Sequence, residues 1–482
     1  MRNLTLMTDL YELTMMNGYL KKGIDKNTVV FDMFFRKNPC QNGYTIIVGI
    51  EQIIDYIENI NFSEDDLSYL EELNLFDDKF LDYLKNFKFT GTIYCVEEGS
   101  VMFPHEPILR VKAPIIEAQL LETTLLNLIN FQSLIATKAS RICTAARGDA
   151  VFEFGLRRAQ GPDAGIYGAK AAIIGGCKGT SNVYAGKKFD VPVIGTHAHS
   201  WVQKFETELD SFRAYAETYP NNTLLLVDTY NVLTSGMPNA ITVFKELREK
   251  GYKPHGVRID SGDIAYLSKE ARKMLDAEGF EDAIIIASSD LDEEIIDNLK
   301  LQDAAVNAWA VGTNLITSRD CPALGGVYKL SAIQKGDELI PKIKISENPE
   351  KITNPGYKKV IRIYDRKSKK AEADLIMLND EEIDISKPLT IFHPIHTWKK
   401  KTLTDYTIRE MLVPLYIDGN LVYERKDIKE ICEYTQSELD SLWPEYKRLN
   451  RPQLYKVDLS RKLWDLKNKM MDDCDIRCTK SE

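Results

Sequence analysis

Two adjacent arginines, Arg157 and Arg158, follow an apolar run and lie among glycines in the segment 152–161. A guanidinium group donates two parallel hydrogen bonds, which is the geometry that a phosphate accepts. Charged side chains are also mostly exposed, so the same pair is typical of a solvated turn. The segment therefore predicts either a phosphate contact or a surface turn, and its spacing leaves both open.

Two of the six histidines, His197 and His199, are separated by one residue and follow the apolar run Val191–Ile194. Such a pair could ligate a metal, but no third ligand stands at a suitable spacing, which disfavours zinc. One imidazole could instead act as a nucleophile or as an acid or base. Both rings could also be hydrogen-bonded parts of the core, and the spacing alone leaves these last two alternatives open.

The segment 258–263 brings a cation, two carboxylates, a hydroxyl and a glycine to one strand end, in Arg258, Asp260, Ser261, Gly262 and Asp263. This set suits ribose hydroxyls, a divalent metal ion and a phosphate. Asp263 also suits the N-cap of the helix that is predicted to follow. We expect binding and capping to coexist here.

Glycine-rich stretches supply further candidates for phosphate binding. The segment 175–182 resembles a nucleotide-binding phosphate loop, but Lys178 precedes Gly179, so the required order is absent and that interpretation is rejected. Its glycines could still let the backbone approach a ligand closely. Two later stretches offer backbone amides suited to a terminal phosphate, at Gly312, Thr313, Gly325 and Gly326.

The region from about 220 to 315 alternates strand-like and helix-like patterns, which predicts βα units and a parallel sheet. The predicted strands are Leu224–Val227, Gly256–Ile259, Ala283–Ala287 and Ala308–Val311. The predicted helices cover about 238–250, 263–278 and 290–300. Because parallel strands present functional groups at their carboxyl ends, we expect the chemistry at the polar residues that follow them, beginning with Asp228, Asp260, Ser288 and Gly312.

The composition limits the classes of protein to consider. At 482 residues the chain exceeds the roughly 250–300 at which a single core stops growing, which predicts two or three domains. A formal charge of −10 disfavours nucleic acid and anionic membranes as partners. The chain shows no targeting or transmembrane pattern, so we expect a cytoplasmic protein whose eight cysteines stay reduced. Cys474 and Cys478 lack a second pair nearby, which favours free thiols over a zinc site.

Several segments, taken in order, resemble the nicotinate phosphoribosyltransferase family. They are MTDLYELTM at 7–15, FGLRRAQGPD at 154–163, GGCKGTSN at 175–182, GTHAHSW at 195–201, RIDSGD at 258–263, GTN at 312–314 and GGVYKL at 325–330. The resemblance implies an α/β fold of the type II phosphoribosyltransferase class, an irregular α/β barrel with a second α+β domain from N- and C-terminal segments. We therefore divide the chain into an N-terminal α+β segment (1–130), a barrel (131–345) and a C-terminal segment packing with the N-terminal domain (346–482). A homodimer with active sites at the subunit interface is also implied.

The resemblance implies a ligase-class reaction that makes nicotinate mononucleotide and pyrophosphate from nicotinate and phosphoribosyl pyrophosphate, coupled to ATP, in NAD salvage. In the family the final histidine of the GTxAH motif, here His199, is phosphorylated by ATP. His197 occupies the variable position of that motif and receives no role. Arg258 completes the catalytic set with Asp228 and Asp260, and either carboxylate could favour an oxocarbenium-like ribosyl centre. Mg²⁺ is implied as a cofactor, with its protein ligands unknown.

Carry-over from the family also assigns binding roles. Tyr11, reaching across the dimer, and Phe154 would enclose the pyridine ring between two aromatic faces. Arg157 and Ser181 would complete the nicotinate site. The residues expected to bind phosphoribosyl pyrophosphate are Arg157, Arg258, Asp260, Ser261, Gly262, Gly312, Thr313, Gly325 and Gly326.

Ser181 carries the choice of nicotinate over nicotinamide. The sister nicotinamide phosphoribosyltransferases resemble this loop but have an aspartate at the position of Ser181, where it accepts a hydrogen bond from the carboxamide. An aspartate would repel a carboxylate, whereas a serine can donate to one. Quinolinate as the substrate fits the GTHAHSW motif poorly, because that enzyme needs several cations and no phosphorylated histidine. A non-catalytic descendant is disfavoured because His199, Arg157, Arg258 and Asp260 are all intact.

Overall fold

A computed structural model describes residues 3–479, with side chains described to residue 473. The chain divides into two compact units, the first combining Met1–Leu134 with Ala323–Glu482 and the second comprising Ile135–Pro322. Cys474 and Cys478 lie outside the described side chains. Among the described helices, none combines the length and the apolar character needed to cross a bilayer.

The N-terminal part of the first unit combines short strands with helices. Its helices are α1 (Leu10–Lys21), α2 (Ile50–Glu58), α3 (Glu64–Glu72), α4 (Asp78–Lys85) and α5 (Ile115–Leu120). Its strands are β1 (Thr28–Phe35), β2 (Thr45–Ile46), β3 (Thr92–Val96), β4 (Val101–Met102) and β5 (Leu109–Pro114). The long helix α6 (Glu122–Ala145) follows them and leads into the second unit.

The second unit is built from short apolar strands and the helices that follow them. Its strands are β6 (Ala150–Glu153), β7 (Gly179–Thr180), β8 (Leu224–Leu226), β9 (Gly256–Ile259), β10 (Ile284–Ala287) and β11 (Ala308–Val311). Its helices are α7 (Pro162–Ile174), α8 (Val183–Phe189), α9 (His199–Lys204), α10 (Glu208–Thr218), α11 (Met237–Glu249), α12 (Ile264–Ala277), α13 (Glu293–Leu301) and α14 (Thr313–Ile316). The strands and helices predicted between residues 220 and 315 are therefore confirmed to within a few residues.

The C-terminal part returns the chain to the first unit and is rich in strands. Its strands are β12 (Gly326–Lys335), β13 (Glu338–Pro341), β14 (Lys358–Asp365), β15 (Ala371–Leu378), β16 (Leu389–Phe392), β17 (Lys400–Leu403), β18 (Tyr406–Glu410), β19 (Leu412–Ile417), β20 (Asn420–Leu421) and β21 (Val457–Leu459). Its helices are α15 (Ile428–Ser441) and α16 (Arg461–Thr479).

The second unit forms an incomplete barrel from six parallel strands in the order β7-β6-β11-β10-β9-β8. The two edges of this sheet are bridged by the extended segment 192–196. On one side the Ile194 N–H donates to the Thr180 carbonyl at 2.9 Å, and on the other the Thr196 hydroxyl donates to the Leu224 carbonyl at 3.0 Å. The predicted irregular α/β barrel is confirmed, and this segment accounts for its irregularity.

The first unit contains a seven-stranded sheet in the order β13-β12-β1-β5-β3-β19-β20. Three N-terminal strands lie between two pairs of C-terminal strands in this order, which confirms the second α+β domain made from both ends of the chain. Strand β12 pairs along β1 from Val29↔Ile333 to Phe35↔Gly326. Residues 323–345, assigned to the barrel from the sequence, therefore belong to the first unit, because strand pairing rather than composition sets that boundary.

A buried arginine stabilises the four-stranded sheet β18-β14-β15-β21. Arg362 on β14 is fully buried and donates to both carboxylate oxygens of Asp374, at 2.9 and 2.7 Å. It also donates to Glu438 Oε2 at 2.9 Å and to the Val101 carbonyl at 2.7 Å. One side chain thus joins two strands of this sheet to α15 and β4.

Replacing this arginine, as in Arg362→Met, should lower the free energy of unfolding by about 3–5 kcal/mol, because the buried Asp374 carboxylate loses its cation and Glu438 keeps only Arg409. Urea titration followed by circular dichroism measures the change. Arg366→Met is the matched control, since Arg366 forms an exposed ion pair with Asp405 and should change stability little. Equal midpoints for the two variants would contradict this account of the fold.

Candidate active site

The carboxyl ends of the six parallel strands bring most of the predicted site residues to one edge of the second unit. The strands end there because each apolar run, buried on both faces of a parallel sheet, gives way to glycine or polar residues. The residues that follow the strands in sheet order from β7 are Ser181, Phe154, Gly312, Ser288, Asp260 and Asp228.

The Asp228 carboxylate links the segments that follow two neighbouring strands, and we call such a segment a strand exit. Its Oδ2 accepts a hydrogen bond from the Ser261 hydroxyl at 2.6 Å and another from the Asp260 N–H at 3.2 Å. Asp260 Oδ1 in turn accepts a short hydrogen bond from the Ser288 hydroxyl. Three consecutive exits, after β8, β9 and β10, therefore hold one another in place.

His199 begins α9 and faces these carboxylates. Its Nδ1 lies 3.1 Å from the Thr229 hydroxyl oxygen, while its Nε2 lies 3.9 Å from Asp260 Oδ2. The imidazole is 40% exposed, so one face remains accessible to a ligand. The arrangement leaves Nε2 directed at the Asp260 carboxylate and able to react with a bound electrophile.

His197 has a structural role, although it stands only two residues before His199. It is buried, and its Nε2 accepts a hydrogen bond from the Leu226 N–H at 3.2 Å. Burial lowers the pKa of His197 to about 4, so the ring is neutral near neutral pH. Of the two alternatives left open for the pair, the core interpretation is therefore correct for His197.

Arg258 supplies the cation of this edge. One of its terminal nitrogens donates to the His197 carbonyl at 3.4 Å, and its Nε is buried without a hydrogen-bond partner among the described residues. Burial lowers the pKa of Arg258, an effect that Asp260 and Asp228 oppose and the positive charge of Arg157 reinforces. The positive charge of Arg157 is thus felt at Arg258.

Glu153 is a buried carboxylate that the sequence analysis did not single out. Its Oε2 accepts a hydrogen bond from the Thr180 hydroxyl at 2.6 Å, and its Oε1 accepts a short one from the Gly155 N–H. Its carbonyl accepts the Ser181 N–H at 2.9 Å. Burial raises the pKa of Glu153, although these hydrogen bonds oppose the shift. The sequence signal that could have identified Glu153 is an acidic residue at the end of an apolar strand.

Phe154 and Arg157 lie on the turn that Glu153 anchors. Arg157 is exposed on a single 3₁₀ turn, Leu156–Arg158, and forms no ion pair with the described residues. Gly312 passes close to this turn, because a Cβ added at Gly312 would lie 3.2 Å from the Phe154 carbonyl oxygen. Thr313 then begins α14, so its backbone amide lies at a helix start beside Phe154.

Tyr11, Gly325 and Gly326 belong to the first unit. Tyr11 is 46% exposed on α1. Gly326 begins β12, and a Cβ there would collide with Asn130 Oδ1. Gly326 therefore has a packing role, whereas a Cβ at Gly325 would meet no atom within 4 Å.

The carboxylates of this edge suit a magnesium ion that is shared with substrate phosphates. Asp228 Oδ1 is buried and has no hydrogen-bond partner among the described residues. No group of three or more potential protein ligands occurs in the described part of the chain. Magnesium commonly binds through one or two carboxylates together with substrate phosphates and water, so Asp228 and Asp260 fit that pattern.

Comparison with protein families matches nearly the whole chain. The nicotinate phosphoribosyltransferase family matches residues 150–373, and the N-terminal and C-terminal domains of nicotinate phosphoribosyltransferase match residues 6–130 and 357–467. All the candidate site residues fall within these matches.

Individual proteins agree with the family match. The chain is 49% identical over 468 residues to a nicotinate phosphoribosyltransferase of Bacillus subtilis, covering 97% of this chain and 95% of that one. It is 37% identical over 520 residues to one of Caenorhabditis elegans, covering 95% and 92%. The crystal structure of human nicotinic acid phosphoribosyltransferase superposes with a TM-score of 0.84 at 29% identity, covering 96% of this chain and 99% of that one. The chain therefore belongs to the nicotinate phosphoribosyltransferase family.

Proposed function

We propose that this protein transfers the phosphoribosyl group of phosphoribosyl pyrophosphate to nicotinate, and that ATP drives the transfer through a phosphohistidine at His199. The products are nicotinate mononucleotide and pyrophosphate, a step of NAD salvage. The observation that carries the proposal is the juxtaposition of His199, Asp260 and Arg258 at the carboxyl edge of the barrel in a chain of this family.

In the transfer, the bond between ribose C1′ and the pyrophosphate oxygen breaks while the pyridine nitrogen bonds to C1′. Positive charge develops on the ribose and negative charge on the leaving pyrophosphate. The Asp260 carboxylate, held by Ser288, stabilises the ribosyl charge and binds the ribose hydroxyls. Arg258 and Arg157 hold the pyrophosphate, and a magnesium ion bound to Asp228 or Asp260 would neutralise phosphate charge.

Of the two carboxylates, Asp260 has the freer position for substrate. Its side chain is 35% exposed and has one oxygen directed towards His199. Asp228 is buried and uses one oxygen to hold Asp260 and Ser261. We therefore assign contact with the ribose to Asp260 and positioning of that carboxylate to Asp228.

His199 couples ATP to this reaction in our proposal. The Thr229 hydroxyl fixes Nδ1, which leaves Nε2 to attack the γ-phosphorus of ATP as ADP departs. The phosphoryl group adds about 1.5–2 negative charges at the edge, where Arg258 and Arg157 can meet them. Hydrolysis of the phosphohistidine to inorganic phosphate then resets the enzyme.

Removing the imidazole, as in His199→Ala, should abolish phosphoenzyme formation and lower ATP hydrolysis at least about a hundredfold, while weak ATP-independent transfer remains. Labelling with γ-³²P-ATP and an assay of mononucleotide formation measure the two effects. His255→Ala is the control, because His255 is an exposed histidine of the same unit. Acid-labile phosphate retained on His199→Ala would refute the assignment.

Ser181 selects the carboxylate of nicotinate in our proposal. Its backbone is fixed by the hydrogen bond to the Glu153 carbonyl, and its side chain is partly exposed.

Ser181→Asp should raise KM for nicotinate about tenfold or more through charge repulsion and shift the substrate preference towards nicotinamide. Ser181→Asn, neutral and of similar size, separates charge from volume. The preference for nicotinate is the ratio of its kcat/KM to that of nicotinamide. The same preference in both variants would argue against this role.

We also propose a cytoplasmic homodimer in which Tyr11 completes the partner's nicotinate site. The exposure of Tyr11 supports this, since a half-exposed aromatic suits a contact with another subunit.

Mixed dimers test the shared site. Tyr11→Ala and His199→Ala chains, each defective in ATP-coupled synthesis, should regain about a quarter of the wild-type rate when subunits are exchanged, because half the dimers are mixed and each holds one intact site. Synthesis coupled to ATP is the readout. If mixing restores no activity although subunit exchange is demonstrated, Tyr11 acts within its own chain or not at all.

A further inference from the structure

The first unit contains a large cavity that the proposed reaction does not use. Its volume is about 1030 Å³, within the size range of small-molecule sites. The walls come from α16, the β16–β17 hairpin and the segment 446–459, together with the loops around residues 103 and 352. Every residue that lines it belongs to the first unit.

The walls are largely apolar and aromatic. Phe103 and Tyr455 stack with ring centroids 3.7 Å apart, and Trp464 is held by a hydrogen bond of 2.8 Å from its indole N–H to the Pro394 carbonyl. Ile395 and Leu454 line the cavity but are strongly exposed, at 75% and 82%. A planar ring placed among these side chains would remove apolar surface from water on both molecules.

The lining also carries an excess of positive charge. Its acidic residues already have cationic partners, since Glu372 pairs with Lys401, Asp458 with Lys456 at 2.9 Å, and Glu350 with Lys37 at 3.3 Å. Two further lining lysines form no ion pair with the described residues, and these are Lys399 and Lys467.

Lys467 is the cation whose environment most favours an anion. Its Nζ donates to Asn354 Oδ1 at 2.8 Å, which leaves further donors unused. Burial and the nearby charge of Lys358 lower the pKa of Lys467 to about 8. His105 beside it has φ +71°, a left-handed conformation that non-glycine residues rarely adopt and that is concentrated at functional sites.

We propose that this cavity binds an amphipathic aromatic anion, with its ring against Trp464, Ile395 and Leu454 and its carboxylate or phosphate on Lys467 and Lys399. An aromatic carboxylate and a nucleotide share this chemistry. The lining shares no residue with those assigned to catalysis, so the cavity can be occupied or empty whether or not the proposed reaction is correct.

Fluorescence titration with 8-anilinonaphthalene-1-sulfonate tests the site on the full chain. We expect saturable binding of about one probe per chain, unaffected by saturating nicotinate and phosphoribosyl pyrophosphate. Lys467→Met should weaken binding about tenfold or more, because a charge-assisted contact is lost. Lys399→Met, an exposed position where no folding defect is expected, should weaken it in the same direction. Lys462→Met is the matched control on α16, since Lys462 pairs with Asp380 outside the cavity.

Competition then separates the contributions of ring and charge. 1-Naphthoate should displace the probe at least about tenfold better than neutral 1-naphthamide, and displacement by AMP would extend the ligand class to nucleotides. Equal displacement by the acid and the amide would overturn the proposal. Equal affinities of the wild type, Lys467→Met and Lys462→Met for the probe would also overturn it. Probe binding that disappears as the protein concentration rises would overturn it too, because another copy of the chain would then occupy the cavity.

Discussion

The Asp228 carboxylate is the constraint on which the geometry of the candidate site depends. One oxygen accepts two hydrogen bonds from the neighbouring strand exit, from the Asp260 N–H and the Ser261 hydroxyl. Without that acceptor the turn after β9 would lose the two hydrogen bonds that join it to Asp228, and Asp260 would be held opposite His199 by Ser288 alone. Hydrogen bonds to the buried Asp228 carboxylate therefore join two strand exits, as backbone hydrogen bonds join the strands themselves.

Glu153 performs the equivalent function on the other side of the barrel opening. It binds the turn after β6 and the Thr180 hydroxyl together, so Phe154 and Ser181 are positioned from one buried carboxylate. Both carboxylates need internal donors because their desolvation is otherwise unfavourable. The barrel thus uses buried acids to fix the ends of its strands, and its cations Arg157 and Arg258 remain available to the anionic substrates proposed above.

The sequence predicted the regular part of this structure well, because apolar runs and helical periodicity report local burial directly. The same pattern predicted that Asp228 and Asp260 lie at the carboxyl ends of two strands. Closure of the barrel by residues 192–196 could not be predicted, since the isolated hydrogen bonds of an irregular segment leave no periodic pattern in the sequence. Strand β12 was misassigned because its partner β1 lies about 300 residues earlier. Family resemblance supplied the assignments of Tyr11 and Ser181, which no local pattern could have given.

The two histidines of the segment 195–201 differ in burial, and this difference gives one a structural role and leaves the other accessible. His197 is enclosed, its pKa falls to about 4, and the neutral ring serves as a hydrogen-bond acceptor for the edge strand β8. His199, two residues later, keeps 40% of its side chain exposed beside Asp260. A buried His199 would have no access to a ligand, and an exposed His197 would leave the Leu226 N–H without its acceptor. Side chains at i and i+2 of an extended segment share one face, so it is the start of α9 at His199 that turns the second imidazole away from the core.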